Sequence, residues 1–306
     1  MQNGTPQKND KKSLIMFILA LTVMGTVGVL RRYIPISSAL LAFFRGAIGS
    51  LSLLVLVLFL RGGHMKKLPA KKLIFLFLSG AFIGINWLLL FEAFNYTTVA
   101  KATLCYYLAP TLVFLASPIF FKERLTLKKS ICALISILGM VLVSGILESS
   151  GNAPSDVRGI FLALGSAFFY FAVIIMNKLT GEVDSYQKTV IQLASAAIVI
   201  LPYILITEDV SKISWEWKTV VLILVAGIVY TGVAYALYFA SMKGMRAQTI
   251  SALSYIDPVV ALFSSAVILG ERMTYLGAVG AVLILGSAFV GECEIRLPRR
   301  KNKETE

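Results

Sequence analysis

The chain has 306 residues, 58% of them hydrophobic and only 15% charged, with 29 Lys and Arg against 16 Asp and Glu for a net charge of +13. Soluble domains carry roughly 25% charged residues, so this composition excludes a water-soluble globular fold and calls for a membrane around the chain. The surplus of positive charge suggests nucleic acid at first sight, but where it falls along the chain argues otherwise.

Windows of about 20 residues with few charges match the length a helix needs to cross the hydrocarbon core. Ten are predicted, over 14–34, 38–60, 73–94, 99–121, 128–147, 158–179, 187–206, 218–242, 248–269 and 275–291. Before the first stand Lys8, Lys11 and Lys12, a flank shared with signal peptides, but the window is long and no clean small-x-small cleavage pattern follows it. The second contains Arg45 within Phe43, Phe44, Arg45, Gly46. In the third, Gly80 and Gly84 form a GxxxG that lets helices approach closely, followed by Asn86, Trp87, Phe91 and Glu92. The fourth carries Lys101, Tyr106 and Pro110, and the fifth is preceded by Glu123, Arg124, Leu125, Thr126. Polar turn formers from Ser149 to Asp156 mark a loop. Trp215 and Trp217, before the eighth window, suit an interfacial aromatic belt. The eighth window holds Tyr230, Tyr235, Tyr238 and Phe239, and the ninth holds Ser254, Asp257 and Pro258.

Sliding residues 73–142 by 148 positions lays them on 221–290 without a gap. Pro110 meets Pro258, Tyr107 meets Tyr255, Trp87 meets Tyr235, and Glu123-Arg124-Leu125-Thr126 meets Glu271-Arg272-Met273-Thr274. An internal repeat sets the architecture. Because the offset spans five crossings, an odd number, the second copy enters the membrane from the other side. The predicted fold is therefore an all-α integral membrane protein of ten transmembrane helices in two inverted five-helix repeats. Its parts are a cytoplasmic tail 1–12, a first repeat 13–147, an outer linker 148–157, a second repeat 158–291 and a basic cytoplasmic tail 292–306. With both termini inside, 21 of the 29 Lys and Arg fall in inner loops and tails, and six fall outside. That is the positive-inside rule. It predicts a multi-pass protein of the plasma (inner) membrane whose basic charge meets anionic lipid rather than nucleic acid.

A proline in an apolar run, thirteen residues later a Glu-Arg-hydrophobic-Thr, then a Gly-bearing last helix, all of it twice, resembles the EamA-type branch of the drug/metabolite transporter superfamily. The match is clearest over 86–145 and 234–291, and Arg45 fits the family's pattern where its second-half counterpart does not. The resemblance implies a carrier with a central cavity lined mainly by spans 3, 4, 8 and 9, for a small-molecule substrate it does not specify.

Ionisable groups inside a span are costly unless paired or wetted, and so are candidates for function. Four stand out: Arg45, Glu92, Lys101 and Asp257. In the structural reading, Glu92 and Lys101 pair across the short turn 95–98, Arg45 is a packing contact, and Asp257 is capped or paired. The functional reading makes the charges a substrate cradle. Arg45 and Lys101 hold a carboxylate or phosphate, and Asp257 holds an amine or a proton, which makes it the coupling candidate. Pro110 and Pro258 each remove a backbone donor and kink a helix, freeing the carbonyls of Tyr106 and Ser254. Such carbonyls are tolerated in a bilayer where they are buried in protein or face water. Asn86, Trp87 and Tyr235 sit at the same depth and complete the predicted substrate-binding set of Arg45, Asn86, Trp87, Lys101, Tyr106, Tyr235, Ser254 and Asp257. Glu123 and Glu271 suit capping of the helix that follows each, and Gly277 with Ala281 gives the second half a small-residue analogue of the GxxxG.

No Walker A motif, HExxH, GxSxG or GxGxxG after a strand occurs, and His64 lies alone in a Lys-rich loop. Cys105, Cys132 and Cys293 show no CxxC spacing. Neither catalysis, cofactor nor metal is predicted. The leading reading is a secondary-active carrier that moves a small polar or amphipathic metabolite by alternating access, with amino acid or related metabolite export preferred and protons as candidate coupling ion. The alternatives are a multidrug exporter for lipophilic cations and an integral-membrane lipid-modifying enzyme. The last lacks a clustered His, Asp or Cys constellation at one interface.

Overall fold

A computed structural model of the chain describes residues 11–61, 67–122, 126–145, 147, 154–209, 215–242, 245 and 247–292. Every regular element among them is helical: α1 (Lys11–Gly25), α2 (Val27–Tyr33), α3 (Ser38–Arg61), α4 (Ala70–Tyr96), α5 (Val99–Tyr106), α6 (Ala109–Phe121), α7 (Leu127–Ser144), α8 (Pro154–Thr180), α9 (Ser185–Thr207), α10 (Trp217–Gly227), α11 (Ala234–Met242), α12 (Ala247–Leu253), α13 (Ile256–Ile268) and α14 (Tyr275–Glu292). A π-helical turn, Ile228–Val233, joins α10 to α11. Among the described residues, eight helical stretches are long and apolar enough to span a membrane, and two shorter apolar helices, Ile256–Ile268 and Tyr275–Gly291, stand in the last two predicted windows. Their outward side chains, such as Ile15, Phe59, Ile119, Phe161, Ile206 and Val282, are apolar and exposed, as a surface against acyl chains must be.

Several windows read as single helices are divided. The first breaks at Thr26 (φ −86, ψ 2), whose hydroxyl turns back onto the Val23 carbonyl at 2.9 Å. The fourth breaks at Tyr107 and Leu108, and the ninth at Ser254 and Tyr255. Conversely, α8 begins at Pro154, inside the stretch read as a linker. Proline suits a helix's first turn because the missing N–H would be unsatisfied there anyway, and Asp156 in that turn meets the positive end of the helix dipole.

The repeat persists in the helix bounds. Leu127–Ser144 and Tyr275–Glu292 are 148 residues apart at both ends, and α5 and α12 start 148 apart. It persists in the packing too. Helix α4 lies on α8 as α11 lies on α1; α4 also packs on α9 as α10 and the π turn pack on α3; α5 and α6 rest on α8 as α13 rests on α1. The pairs α3·α9 and α7·α14 join each element to its own counterpart. This exchange is what a pseudo-twofold relation between the halves produces.

In lipid, helices associate through close packing rather than through the hydrophobic effect, and small residues set the distances. A Cβ on Gly80 would lie 2.5 Å from the Cβ of Ser195, and one on Gly84 3.0 Å from the Ala196 carbonyl, so the GxxxG seats α4 on α9. The Gly277/Ala281 pair does not play the equivalent part. Gly277 faces Met273 and Thr274 at its own helix start, while the α7–α14 seam closes at Gly139, where a Cβ would meet the Gly280 carbonyl at 2.8 Å. Where α3, α4, α5 and α9 converge, Leu41, Leu53, Phe91, Phe94, Val99 and Leu193 form a fully buried core.

Candidate functional site

Both fourth spans break just before a proline. Tyr107 (φ −71, ψ 4) ends α5, and α6 then starts at Ala109 with Pro110 in its first turn. Tyr255 (φ −74, ψ −6) precedes α13, with Pro258 in its first turn. The prolines therefore start new helices instead of kinking continuous ones, since a first-turn residue has no intrahelical donor to lose. The two breaks bring the side chains of Tyr106, Tyr107 and Asp257 to the middle of the bundle.

There the Tyr107 hydroxyl donates to Asp257 Oδ2 at 2.5 Å, joining the break of one half to the break of the other. The Tyr106 ring lies 5.1 Å from Tyr170 of α8 and 5.7 Å from Tyr107. Tyr235 stacks on Phe239 at 6.0 Å. Arg45 of α3 sets its guanidinium 4.3 Å from the centre of the Trp87 ring and 5.6 Å from that of Phe91. Its Nε donates to Thr231 Oγ1 at 3.0 Å. Thr231 is held for this by the π turn, its own hydroxyl reaching the Ala226 carbonyl five residues back at 3.0 Å. Arg45 is buried and within electrostatic reach of Asp257, Tyr106, Tyr230 and Tyr235. It forms no ion pair among the described residues, and neither Nη makes a hydrogen bond to them. A desolvated cation over Trp gains about 2 kcal/mol, and a hydrogen bond from a charged donor about 1.5–3 kcal/mol. Together these offset much of the several kcal/mol that burying one charge costs. Tyr106, Tyr107, Tyr170, Tyr235 and Asp257 are each partly exposed, as side chains that line a shared space are.

The other predicted residues lie outside this cluster. Asn86 donates through Nδ2 to the Ser166 carbonyl and hydroxyl, both at 2.7 Å, and ties α4 to α8. The Ser254 hydroxyl returns to the Ile250 carbonyl of its own helix at 2.8 Å. Lys101 and Glu92 do not pair. Lys101 Nζ donates to Asp156 Oδ2 at 2.7 Å, because α8 starts early enough to place that carboxylate beside α5, and Asp156 also accepts the Thr97 hydroxyl. Glu92 accepts from Ser38 (2.7 Å) and Asn95 (3.0 Å), beside Arg31, which donates to the Ile34 carbonyl, Ser38 and Asn95. Gln192 is a second strut, donating to Ser79 at 2.7 Å and Asn177 at 2.8 Å. Glu271 caps a helix, but not the one that follows it: its carboxylate accepts from the Val99 and Ala100 amides of α5. Glu123, Arg124, His64 and Cys293 lie outside the described residues. Cys105 and Cys132 are buried and unbridged.

Three site residues were not singled out from the sequence. Tyr107 was visible only as a repeat marker, Tyr170 stands in an aromatic run with no polar partner in sequence, and Thr231 depends on a π turn that no residue pattern announces. Among the described residues no group of three or more His, Cys, Asp or Glu is placed to hold a metal.

Comparison with known proteins agrees with this architecture. The model of the EamA-like transporter family matches twice, over residues 11–145 and 157–290. The uncharacterized transporter YxxF of Bacillus subtilis is 28% identical over 300 residues, 97% of this chain and 93% of that protein. A probable amino-acid metabolite efflux pump of Salmonella typhimurium is 31% identical over 192 residues, covering 58% of this chain and 62% of the pump. The aromatic amino acid exporter YddG of Ancylobacter novellus is 28% identical over 201 residues, 65% of this chain and 69% of the exporter. One solved crystal structure superposes with a TM-score of 0.62 at 23% identity, covering 93% of this chain and 98% of that one, a likeness of fold.

Proposed function

From the premise that the chain belongs to the EamA-like transporter family, we propose that it is a secondary-active carrier that exports amino acids or related metabolites by alternating access. Its two halves are inverted in the plasma membrane with both termini inside, as the distribution of Lys and Arg favours. One observation carries the substrate reading. Among the described residues, the centre of the bundle holds one base whose Nη groups make no hydrogen bond and one acid, each from a different half, among aromatic rings. A substrate carboxylate seats on the Arg45 fork, where two parallel charge-assisted bonds are available. Its amine meets Asp257, and its apolar part lies against Trp87, Tyr106 and Tyr235. Lys101, Asn86 and Ser254 position helices around this site. Asp257 doubles as the proton carrier, Tyr107 holding its carboxyl in place when no substrate is bound. The names of the Salmonella and Ancylobacter relatives support the same substrate class.

A second reading, export of lipophilic cations, draws on the rings of Tyr106, Tyr170 and Tyr235 within electrostatic reach of Asp257. Cation–π contacts and one carboxylate would serve that cargo. A thermal-shift screen of the purified protein separates the two, because a ligand that binds the native state raises the melting temperature. Stabilisation by amino acids bearing both carboxylate and amine supports the first. Stabilisation by quaternary amines alone replaces it with the second.

A further inference from the structure

We propose that Glu271 is the latch of the outer gate: its carboxylate, presented by the second half, clamps the start of α5 in the first half and must release before the site opens to that side. The latch rests on the alternating-access reading and the orientation given above. Its geometry begins where α13 ends. Gly270 adopts φ +67 with open space around its Cα, and the Glu271 amide turns back to the Ser265 carbonyl at 3.3 Å, beside the Leu269 amide at 3.1 Å. A left-handed glycine just past the last turn is how many helices stop, and it fixes the point from which the Glu271 side chain extends.

That side chain crosses to the other half. Oε1 accepts from the Val99 amide at 2.9 Å and Oε2 from the Ala100 amide at 3.2 Å, while Thr98 Oγ1 accepts from Lys101 N at 3.1 Å. The first turn of a helix leaves such donors without internal partners, so two of these three are satisfied by a residue 171 or 172 positions away. Arg32, beside the end of α2, adds its Nη2 at 3.5 Å from Glu271 Oε1 and donates to the Thr97 carbonyl at 2.9 Å. Two chain segments, the start of α5 and the end of α2, thus close on one nearly buried carboxylate.

The clamp has a second jaw. Helix α5 has only 8 residues, too few to be stable alone, and packs on α13. At the far end of α5, Tyr107 is bonded to Asp257, at the start of α13. The α13 segment therefore grips α5 at both ends, Glu271 at the mouth and Asp257 at the site. Opening this mouth means separating α5 from α13, and the Glu271 contacts lie outside the substrate site and can be removed without touching it.

The test needs no known substrate. In a full-length chain with its native cysteines replaced, Tyr235→Cys reports access to the site. A membrane-impermeant maleimide is applied to intact bacteria expressing the protein, and separately to inverted vesicles. Glu271→Ala raises labelling from outside by about tenfold or more, the loss of charge-assisted bonds expressed as an equilibrium shift, without raising labelling from the inner side. Glu271→Gln, which keeps one acceptor and the side-chain shape, gives a smaller rise in the same direction and serves should the alanine variant fold poorly. Unchanged outside labelling in a variant of parental melting temperature overturns the latch, as does an equal rise from both sides. A separate Tyr275→Cys reporter, just beyond the latch loop, is labelled from outside. If it is labelled only in inverted vesicles, the orientation is wrong, and the same comparison judges the latch with the two sides exchanged.

Discussion

The two broken spans share a backbone and differ in chemistry. In one, Tyr106, Tyr107 and Ala109 lead into Pro110; in the other, Ser254, Tyr255 and Asp257 lead into Pro258 at the same offset. Tyr107 reaches across to Asp257, whereas Tyr255 sets its ring edge-on to Phe289 at 5.6 Å. Asp257 corresponds to Ala109, and Arg45 to Leu193. What the halves have in common builds the scaffold, and what each has alone supplies the charge. A chain with identical halves would place two acids or two bases at the pseudo-twofold centre, where like charges repel; this one places one of each.

The largest effect is expected from moving the carboxylate to its repeat position. Asp257→Ala lowers the transport rate about 100-fold, the loss that follows truncating a buried, hydrogen-bonded charge that binds cargo. Adding Ala109→Asp does not recover it. Recovery in the double variant would mean that the two halves are chemically interchangeable at this position. Next comes Arg45→Lys. A point charge cannot supply the planar fork or the Trp87 stack, so the apparent affinity for carboxylate-bearing cargo falls about 10-fold or more with little change in melting temperature. An unchanged KM would return Arg45 to packing alone.

Two smaller effects probe the scaffold. Asn86→Ala leaves the Ser166 hydroxyl and carbonyl without their amide donor and costs about 1–3 kcal/mol of stability. Its KM stays at the parental value, because the amide faces α8 and not the site. A rise in KM at unchanged stability would put Asn86 among the contacts of the cargo. At the end of α6, Lys122 holds a left-handed φ of 54 at the position where the second half has Gly270. Lys122→Gly relieves the steric cost of a Cβ there and raises stability by about 1 kcal/mol, read as a higher melting temperature in detergent.

The span order and the two-repeat plan were legible because apolar windows and the 148-residue offset are properties of the chain itself. The prolines also stood where each fourth span divides. They did not reveal a full break, because a helix start and a kink look alike until the residues before the proline are seen to leave the helix. The mispairing of Lys101 had a local cause: Asp156 stood in a stretch read as loop, and only its place in the first turn of α8 makes it a partner. Glu271 was recognised as a cap, but the helix it caps lies in the other half, and sequence proximity had no means of naming it. Thr231 escaped for a different reason: a π turn alters which side chains share a face, and the ordinary helical spacing places it elsewhere.

In the proposed carrier, one base and one acid from opposite halves form a single transport site. Solute counterflow in proteoliposomes measures this, with vesicles preloaded with a mixture of unlabelled amino acids and tracer quantities of each supplied outside. The parent protein should accumulate at least one labelled amino acid transiently above its equilibrium level, and Asp257→Asn should reduce that overshoot to the level of protein-free vesicles. An Asp257→Asn protein that matches the parent, overshoot for overshoot, would show that Asp257 has no part in binding or moving the cargo.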